Sequence, residues 1–273
     1  MQDPADRPAS GRHPEEIDAR ADALRALAGS HVPVLLAGAY AFCEYTGIFR
    51  ETKDLDLFLR ERDLEEAFRV LENAGFRTEI EDATWIGKGW RGEWYVDLIF
   101  GSGNGVAVVD DLWFEHARPA RVMGVDVLLA PPEEMIWSKA FVLERERYDG
   151  ADVNHLIRAT GDALDWDRLL FRFDRYWEVL LSHVLLYRFA YPGERSKVPD
   201  RVMETLLERT AAELGTDHPR ALCRGNLMSS EQYRHDLTQL GYEDGRRWDE
   251  GERTTGVGAD GGRERDLPAG GGR

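Results

Sequence analysis

The stretch Arg50-Glu-Thr-Lys-Asp-Leu-Asp-Leu-Phe58 sets acidic residues at 54 and 56 against apolar residues at 55, 57 and, one step beyond, 59. Strict alternation of this kind predicts a half-buried strand over 53–59. Residues i and i+2 of a strand point to the same face. Asp54 and Asp56 are therefore expected side by side, with Leu55, Leu57 and Leu59 anchoring the other face in a core. Two carboxylates this close repel each other unless a cation lies between them or one is protonated. A hard divalent cation such as Mg²⁺ suits such a pair of oxygens.

Working outward, Val32–Ala37 is a short apolar run that predicts a buried strand, followed by Gly38 and a short helix over 39–45 closed near Gly47. On the other side, Asp63 and Glu66 stand at capping-box spacing and predict a helix running to Ala74 and stopping at Gly75. Residues 76–80, 84–90 and 94–100 read as strands, and 121–129 as a strand or a hairpin around Gly124. The strand at 94–100 carries an internal acid, Asp97, which is costly to bury without a partner. If this strand pairs beside the first, Asp54, Asp56 and Asp97 converge. Three carboxylates can hold two divalent ions about 3.5–4 Å apart, the arrangement used for in-line phosphoryl or nucleotidyl transfer.

After Pro131-Pro132 the pattern becomes helical, with helices expected over 133–146, 152–159, 166–173, 175–189, 200–214 and 231–240. The expected organisation is a disordered start (1–13), a mixed-sheet domain (14–130), a helical domain (131–244) and a disordered Gly- and Arg-rich tail (245–273). The fold class is α+β.

Composition bounds the function. The 273 residues carry a formal charge of -16, which disfavours a long nucleic acid as partner. A small anion such as a nucleotide is compatible, because metal ions screen it locally. No apolar run approaches the roughly 20 residues that span a bilayer, so no membrane partner is expected. Met1–Arg20 lacks the pattern of a secretory signal, and the two cysteines, Cys43 and Cys223, form no disulfide framework or zinc motif. A reduced, cytoplasmic protein is expected. Four of the 35 basic residues are lysines, at 53, 88, 139 and 197.

The ordered set resembles the nucleotidyltransferase superfamily with the DNA-polymerase-β-like fold, in particular bacterial members related to abortive-infection toxins and antitoxin-type transferases. The residues that carry the resemblance are Gly38, Arg50, Thr52, Asp54, Asp56 and Asp97. It extends to Pro131-Pro-Glu-Glu-Met-Ile-Trp-Ser-Lys139 and to Arg147, Asp149 and Asp152, and so covers roughly residues 30–160. Many members have a second Gly or a Ser after the glycine; here Ala39 keeps the turn small but offers no hydroxyl. The resemblance implies transfer of a nucleoside monophosphate from a nucleoside triphosphate to a hydroxyl acceptor, with release of pyrophosphate and two Mg²⁺ or Mn²⁺ ions. Asp54, Asp56 and Asp97 would be the catalytic metal ligands; Gly38, Ala39, Arg50, Thr52 and Lys139 would bind the nucleotide. The acceptor, a small molecule, a protein or an RNA end, stays open. The alternative is an inactive relative that binds a nucleotide or a protein partner, as in a toxin–antitoxin pair. A phosphohydrolase is disfavoured because no His-Asp pair accompanies the acids.

Arg147, Asp149 and Asp152 read slightly better as charges at the start of the next helix than as cleft residues. Gly101-Ser-Gly-Asn-Gly105 reads as a turn rather than a phosphate loop. Trp85, Trp90, Trp94 and Tyr95 read as sheet packing.

Overall fold

The computed structural model describes residues 14–217 and 221–246. The expected disorder at 1–13, and at 247–273 of the tail, lies outside the described residues. A seven-stranded mixed sheet runs in the order β3-β4-β5-β2-β1-β7-β6. Its strands are β1 (Leu35–Leu36), β2 (Asp56–Phe58), β3 (Arg77–Asp82), β4 (Ile86–Arg91), β5 (Trp94–Ile99), β6 (Arg118–Val122) and β7 (Val125–Leu129). β2 pairs parallel with β5, and β1 parallel with β7; the other pairs are antiparallel. The hairpin around Gly124 forms, with φ of 50° at Met123 and 73° at Gly124. Both central residues thus adopt the left-handed geometry that matches strand twist in a two-residue turn.

Helices α1 (Pro14–Ala28) and α3 (Leu64–Asn73) pack on one face of the sheet. Glycines in β4 allow α3 to approach: a Cβ at Gly87 would lie 2.6 Å from Phe68, and one at Gly89 would lie 2.8 Å from Leu71. Ile86 and Lys88 alternate with them and so point to the opposite face. There lie α2 (Gly38–Thr46) and the helices of the second half, α5 (Pro132–Ala140), α6 (Gly150–Thr160), α7 (Trp166–Phe173), α8 (Trp177–Ala190) and α9 (Asp200–Glu213). A short α4 (Asp111–Glu115), capped by Asp110, precedes β6, and α10 (Arg234–Thr238) lies near the end. One hydrophobic core runs from Leu24 and Leu57 through Trp113 and Ile136 to Leu206.

Four expectations are corrected. The strand at 53–59 is shorter, since only Asp56–Phe58 pairs; Asp54 precedes it in a bend held by Thr52, whose hydroxyl donates to the Asp54 carboxylate. The capping box at Asp63 does not form: Asp63 closes a 3₁₀ turn and pairs with Arg60 at 3.3 Å. The helix expected over 133–146 ends at Ala140, and Leu143 then forms a bridge with Tyr148. Finally, the helical half contains a small parallel ladder, β8 (Leu222–Cys223) with β9 (Glu243–Asp244).

Helix α5, which carries Lys139, is pinned by buried charges. Glu134 is fully buried and receives Arg168 at 2.9 Å and Arg172 at 3.0 Å; Arg172 also binds Asp110 at 2.6 Å. Breaking such a network by removing one member leaves an uncompensated charge, at a cost of about 3–5 kcal/mol.

Candidate active site

The parallel register of β2 and β5 sets Asp56 directly beside Asp97 and Phe58 beside Ile99. Asp54, at the entry to β2, completes the cluster. Carboxylate oxygens of Asp54, Asp56 and Asp97 all lie within 4.8 Å of one another. The helix α2 begins against this cluster. Gly38 has φ of 55°, and a Cβ there would lie 1.7 Å from Asp56 Oδ2. Two independent reasons therefore require glycine: the left-handed backbone and the carboxylate pressed against its Cα. α2 starts at Gly38, against the Asp56 carboxylate, so its positive dipole end faces the acidic cluster.

Electrostatics mark the cluster as cation-seeking. Burial, with repulsion from Asp54 and Asp97, pushes the Asp56 carboxyl up to about 7. Burial pushes Asp97 up to about 6, opposed by Lys88 and reinforced by Asp54. Asp97 is 6% exposed, and its Oδ1 has no hydrogen-bond partner among the described residues. Lys88, its cross-strand neighbour, approaches to 3.5 Å, an ion pair longer than a good hydrogen bond. Oxygen-only donors, crowded and under-satisfied, fit a hard divalent ion.

A cleft of about 740 Å³ opens over the cluster. All eight expected site residues line it: Gly38, Ala39, Arg50, Thr52, Asp54, Asp56, Asp97 and Lys139. Lys139 binds Asp149 at 3.0 Å and Asp152 at 2.9 Å, while Arg50 pairs with Asp152 and Arg147 with Asp149 at 3.1 Å. Burial would raise the Asp149 carboxyl, but Lys139 and Arg147 hold it below the ordinary range. Asp149 does occupy the N-cap position of α6, yet its side chain makes no capping bond and faces the cleft instead. The preference for a plain helix-start role for these charges is corrected to this extent.

Three contributors escaped sequence reasoning. Lys88 becomes a partner of Asp97 only through the β4–β5 register, although its rarity as a lysine was a faint signal. Arg20, 1% exposed, reaches from α1 to the Tyr40 hydroxyl and the Thr52 carbonyl, both at 3.1 Å, and so fixes the segment before Asp54. Asn226–Ser230, distant in sequence, forms one wall of the cleft. The 101–105 segment is a turn, as expected, with Asn104 Nδ2 donating to the Leu227 carbonyl at 2.7 Å. Of the aromatic set only Trp85 lines the cleft; Trp90 and Tyr95 pack on each other with ring centroids 4.7 Å apart.

No helix among the described residues is long and apolar enough to cross a membrane. A search of the curated proteins found no match. Among solved structures the chain is similar to the antibiotic-resistance factor ANT(2'')-Ia, at 15% identity, 73% of this chain, 98% of that chain and a TM-score of 0.42. It is also similar to the lincosamide antibiotic adenylyltransferase LnuA bound to lincomycin, at 16% identity, 51% and 94% coverage and a TM-score of 0.38. A "putative nucleotidyltransferase" from Thermotoga maritima matches at 16% identity, 44% and 80% coverage and a TM-score of 0.35. The family model described as "Uncharacterised nucleotidyltransferase" matches residues 23–188, more than half of the sequence. The chain thus belongs to this nucleotidyltransferase family, with the α+β fold and the transferase activity class that membership carries.

Proposed function

We propose that the protein transfers a nucleoside monophosphate from a nucleoside triphosphate to a hydroxyl acceptor, releasing pyrophosphate, with two divalent ions (Mg²⁺ or Mn²⁺) held by Asp54, Asp56 and Asp97. The observation that carries this reading is the convergence of three carboxylates within 4.8 Å, one of which, Asp56, lies so close to Gly38 that no side chain fits there. When bound, the ions screen the triphosphate and lower the pKa of the attacking hydroxyl.

The chain's own groups do the rest. Gly38 and Ala39 let the backbone N–H groups of α2 approach a phosphate, which the helix dipole favours. Thr52 orients Asp54 through its hydroxyl. Lys139, Arg50 and Arg147 supply positive charge where the triphosphate lies, and Lys139 offsets charge that develops on the leaving group. Asp97 faces the acceptor and takes its proton. The acceptor oxygen bonds to the α-phosphorus as the bridging oxygen between the α- and β-phosphates departs with pyrophosphate. We assign residues 14–130 to the catalytic domain, 131–244 to a helical domain that closes the cleft, and the protein to the cytoplasm.

The test incubates purified protein with each α-labelled nucleoside triphosphate, Mg²⁺ or Mn²⁺, and cell extract. A labelled product made by the wild type and not by Asp54→Asn/Asp56→Asn supports the reading. Metal-dependent nucleotide binding with no product in any combination would favour a non-catalytic nucleotide-binding module.

A further inference from the structure

On the cleft face of the sheet, the register of β4 and β5 sets three pairs in a row: Ile86 with Ile99, Lys88 with Asp97, and Trp90 with Tyr95. Lys88 therefore stands between an apolar pair and an aromatic pair. Its ammonium lies 4.3 Å from the centre of the Tyr95 ring and 5.7 Å from that of Trp90, a cation held against aromatic faces. Its chain neighbours Gly87 and Gly89 leave no room for side chains against α3, which seats the strand that carries it.

Two carboxylates flank Lys88 across the sheet, Glu79 on β3 and Asp97 on β5. They are not equivalent. Both oxygens of Glu79 are engaged, one by Arg77 at 2.6 Å and one by the Trp90 indole N–H at 2.7 Å. Asp97 Oδ1 has no hydrogen-bond partner among the described residues and is shut off from solvent, with Lys88 Nζ at 3.5 Å. Lys88 is thus left to Asp97. The cations of the cleft itself are committed elsewhere: Lys139 to Asp149 and Asp152, Arg50 to Asp152, and Arg147 to Asp149. Lys88 stands behind Asp97 and outside the cleft lining, so it acts through that carboxylate and not on a bound phosphate.

We propose that Lys88 is a positioning residue of the transferase site: it holds Asp97 by Oδ1, leaves Oδ2 for the cluster, and sets by its charge how tightly the cluster grips divalent ions. This rests on the transferase reading above. Three carboxylates within 4.8 Å carry a dense negative charge. A fixed cation 3.5 Å from one of them offsets part of that charge and opposes an incoming divalent ion. Binding is then weak enough for the ions to exchange as pyrophosphate leaves. Orientation follows from the same contact. With Oδ1 paired to a strand neighbour, the Asp97 carboxylate keeps one rotation, and Oδ2 stays where the acceptor hydroxyl gives up its proton.

The test uses the full chain at about pH 8.5, with Mg²⁺ alone as the probe, and compares the wild type with Lys88→Met, Lys88→Gln and Lys88→Arg. Mg²⁺ affinity is read by calorimetry, and pyrophosphate release gives kcat and the KM for the nucleoside triphosphate. Both neutral variants should bind Mg²⁺ about tenfold more tightly than the wild type, because each removes the opposing charge. The kcat should fall at least about tenfold in Lys88→Met and less in Lys88→Gln, whose amide still donates to Asp97, while KM moves about threefold or less. Lys88→Arg should keep Mg²⁺ affinity near that of the wild type. A lysine with a structural role alone would loosen the cluster when lost, and Mg²⁺ would bind more weakly. Weaker or unchanged Mg²⁺ binding in both neutral variants overturns the assignment, as does a Lys88→Arg variant that matches Lys88→Met, or a wild type that binds no Mg²⁺. Tighter Mg²⁺ binding in the neutral variants without pyrophosphate release from the wild type would overturn the transferase reading and leave the electrostatic role of Lys88 standing.

Discussion

Asp56→Asn is expected to make the metal-free protein more stable at pH 8, although it removes a proposed metal ligand. The carboxyl ordinarily titrates near 3.8 and is pushed to about 7 in the fold by burial and by Asp54 and Asp97. Between those values the unfolded chain is ionised while the folded chain keeps its proton. Folding therefore binds a proton there, and stability falls as pH rises from about 4 to about 7, then levels off. Full coupling over that interval is worth about 4 kcal/mol. Asp56 is half-buried rather than sealed from water, so screening reduces the effect to about 1–2 kcal/mol. For a chain of this size, Asp56→Asn should raise the metal-free Tm by about 3–6 °C at pH 8, with the gain vanishing near pH 4. Added Mg²⁺ should raise the wild-type Tm and leave the variant nearly unmoved, since binding only the folded state is stabilising. Thermal unfolding at the two pH values, with and without Mg²⁺, reads all of this. A variant less stable than wild type at pH 8 without metal, or one gaining as much from Mg²⁺, would refute the argument.

Other expectations follow from the same geometry. Mg²⁺ affinity measured by calorimetry should fall as pH drops below about 7, approaching tenfold per pH unit, because Asp56 must give up its proton to bind metal. Gly38→Ala should abolish metal-induced stabilisation and lower Tm, since its Cβ would lie 1.7 Å from Asp56 Oδ2; an unchanged Mg²⁺ response would show that α2 can move aside. Lys139→Met should raise the KM for the nucleoside triphosphate about tenfold or more in a pyrophosphate-release assay, with the fold kept because Asp149 and Asp152 retain Arg147 and Arg50. Arg172→Ala should lower Tm by at least about 6 °C, because it leaves Glu134 and Asp110 short of a partner.

Much of this arrangement was readable from residue order. The alternation at 53–59 and the acid at 97 made two acid-bearing strands readable, because a carboxylate inside an apolar run needs a reason to be there; that they lie side by side was left as a condition, which the β2–β5 register meets. Gly38 was visible as a break between strand and helix, but its contact with Asp56 was not, since that depends on how α2 seats on the sheet. The strand was over-extended to 53 because alternation persists where pairing stops: Asp54 is held by Thr52 rather than by a neighbouring strand. The helix at α5 was over-extended because helical spacing runs on past Ala140, where the chain turns to form the Leu143–Tyr148 bridge. Lys88, Arg20 and Asn226 act through register and through contacts between distant segments, and no local pattern encodes either.

The most direct test of the central claim is product analysis of the purified protein with α- and γ-labelled nucleoside triphosphates in Mg²⁺, comparing wild type with Asp97→Asn. The account requires pyrophosphate and nucleoside monophosphate transfer from the wild type, dependent on metal, and a loss of at least about a hundredfold in the variant. Release of inorganic phosphate instead, or full activity in Asp97→Asn, would contradict it.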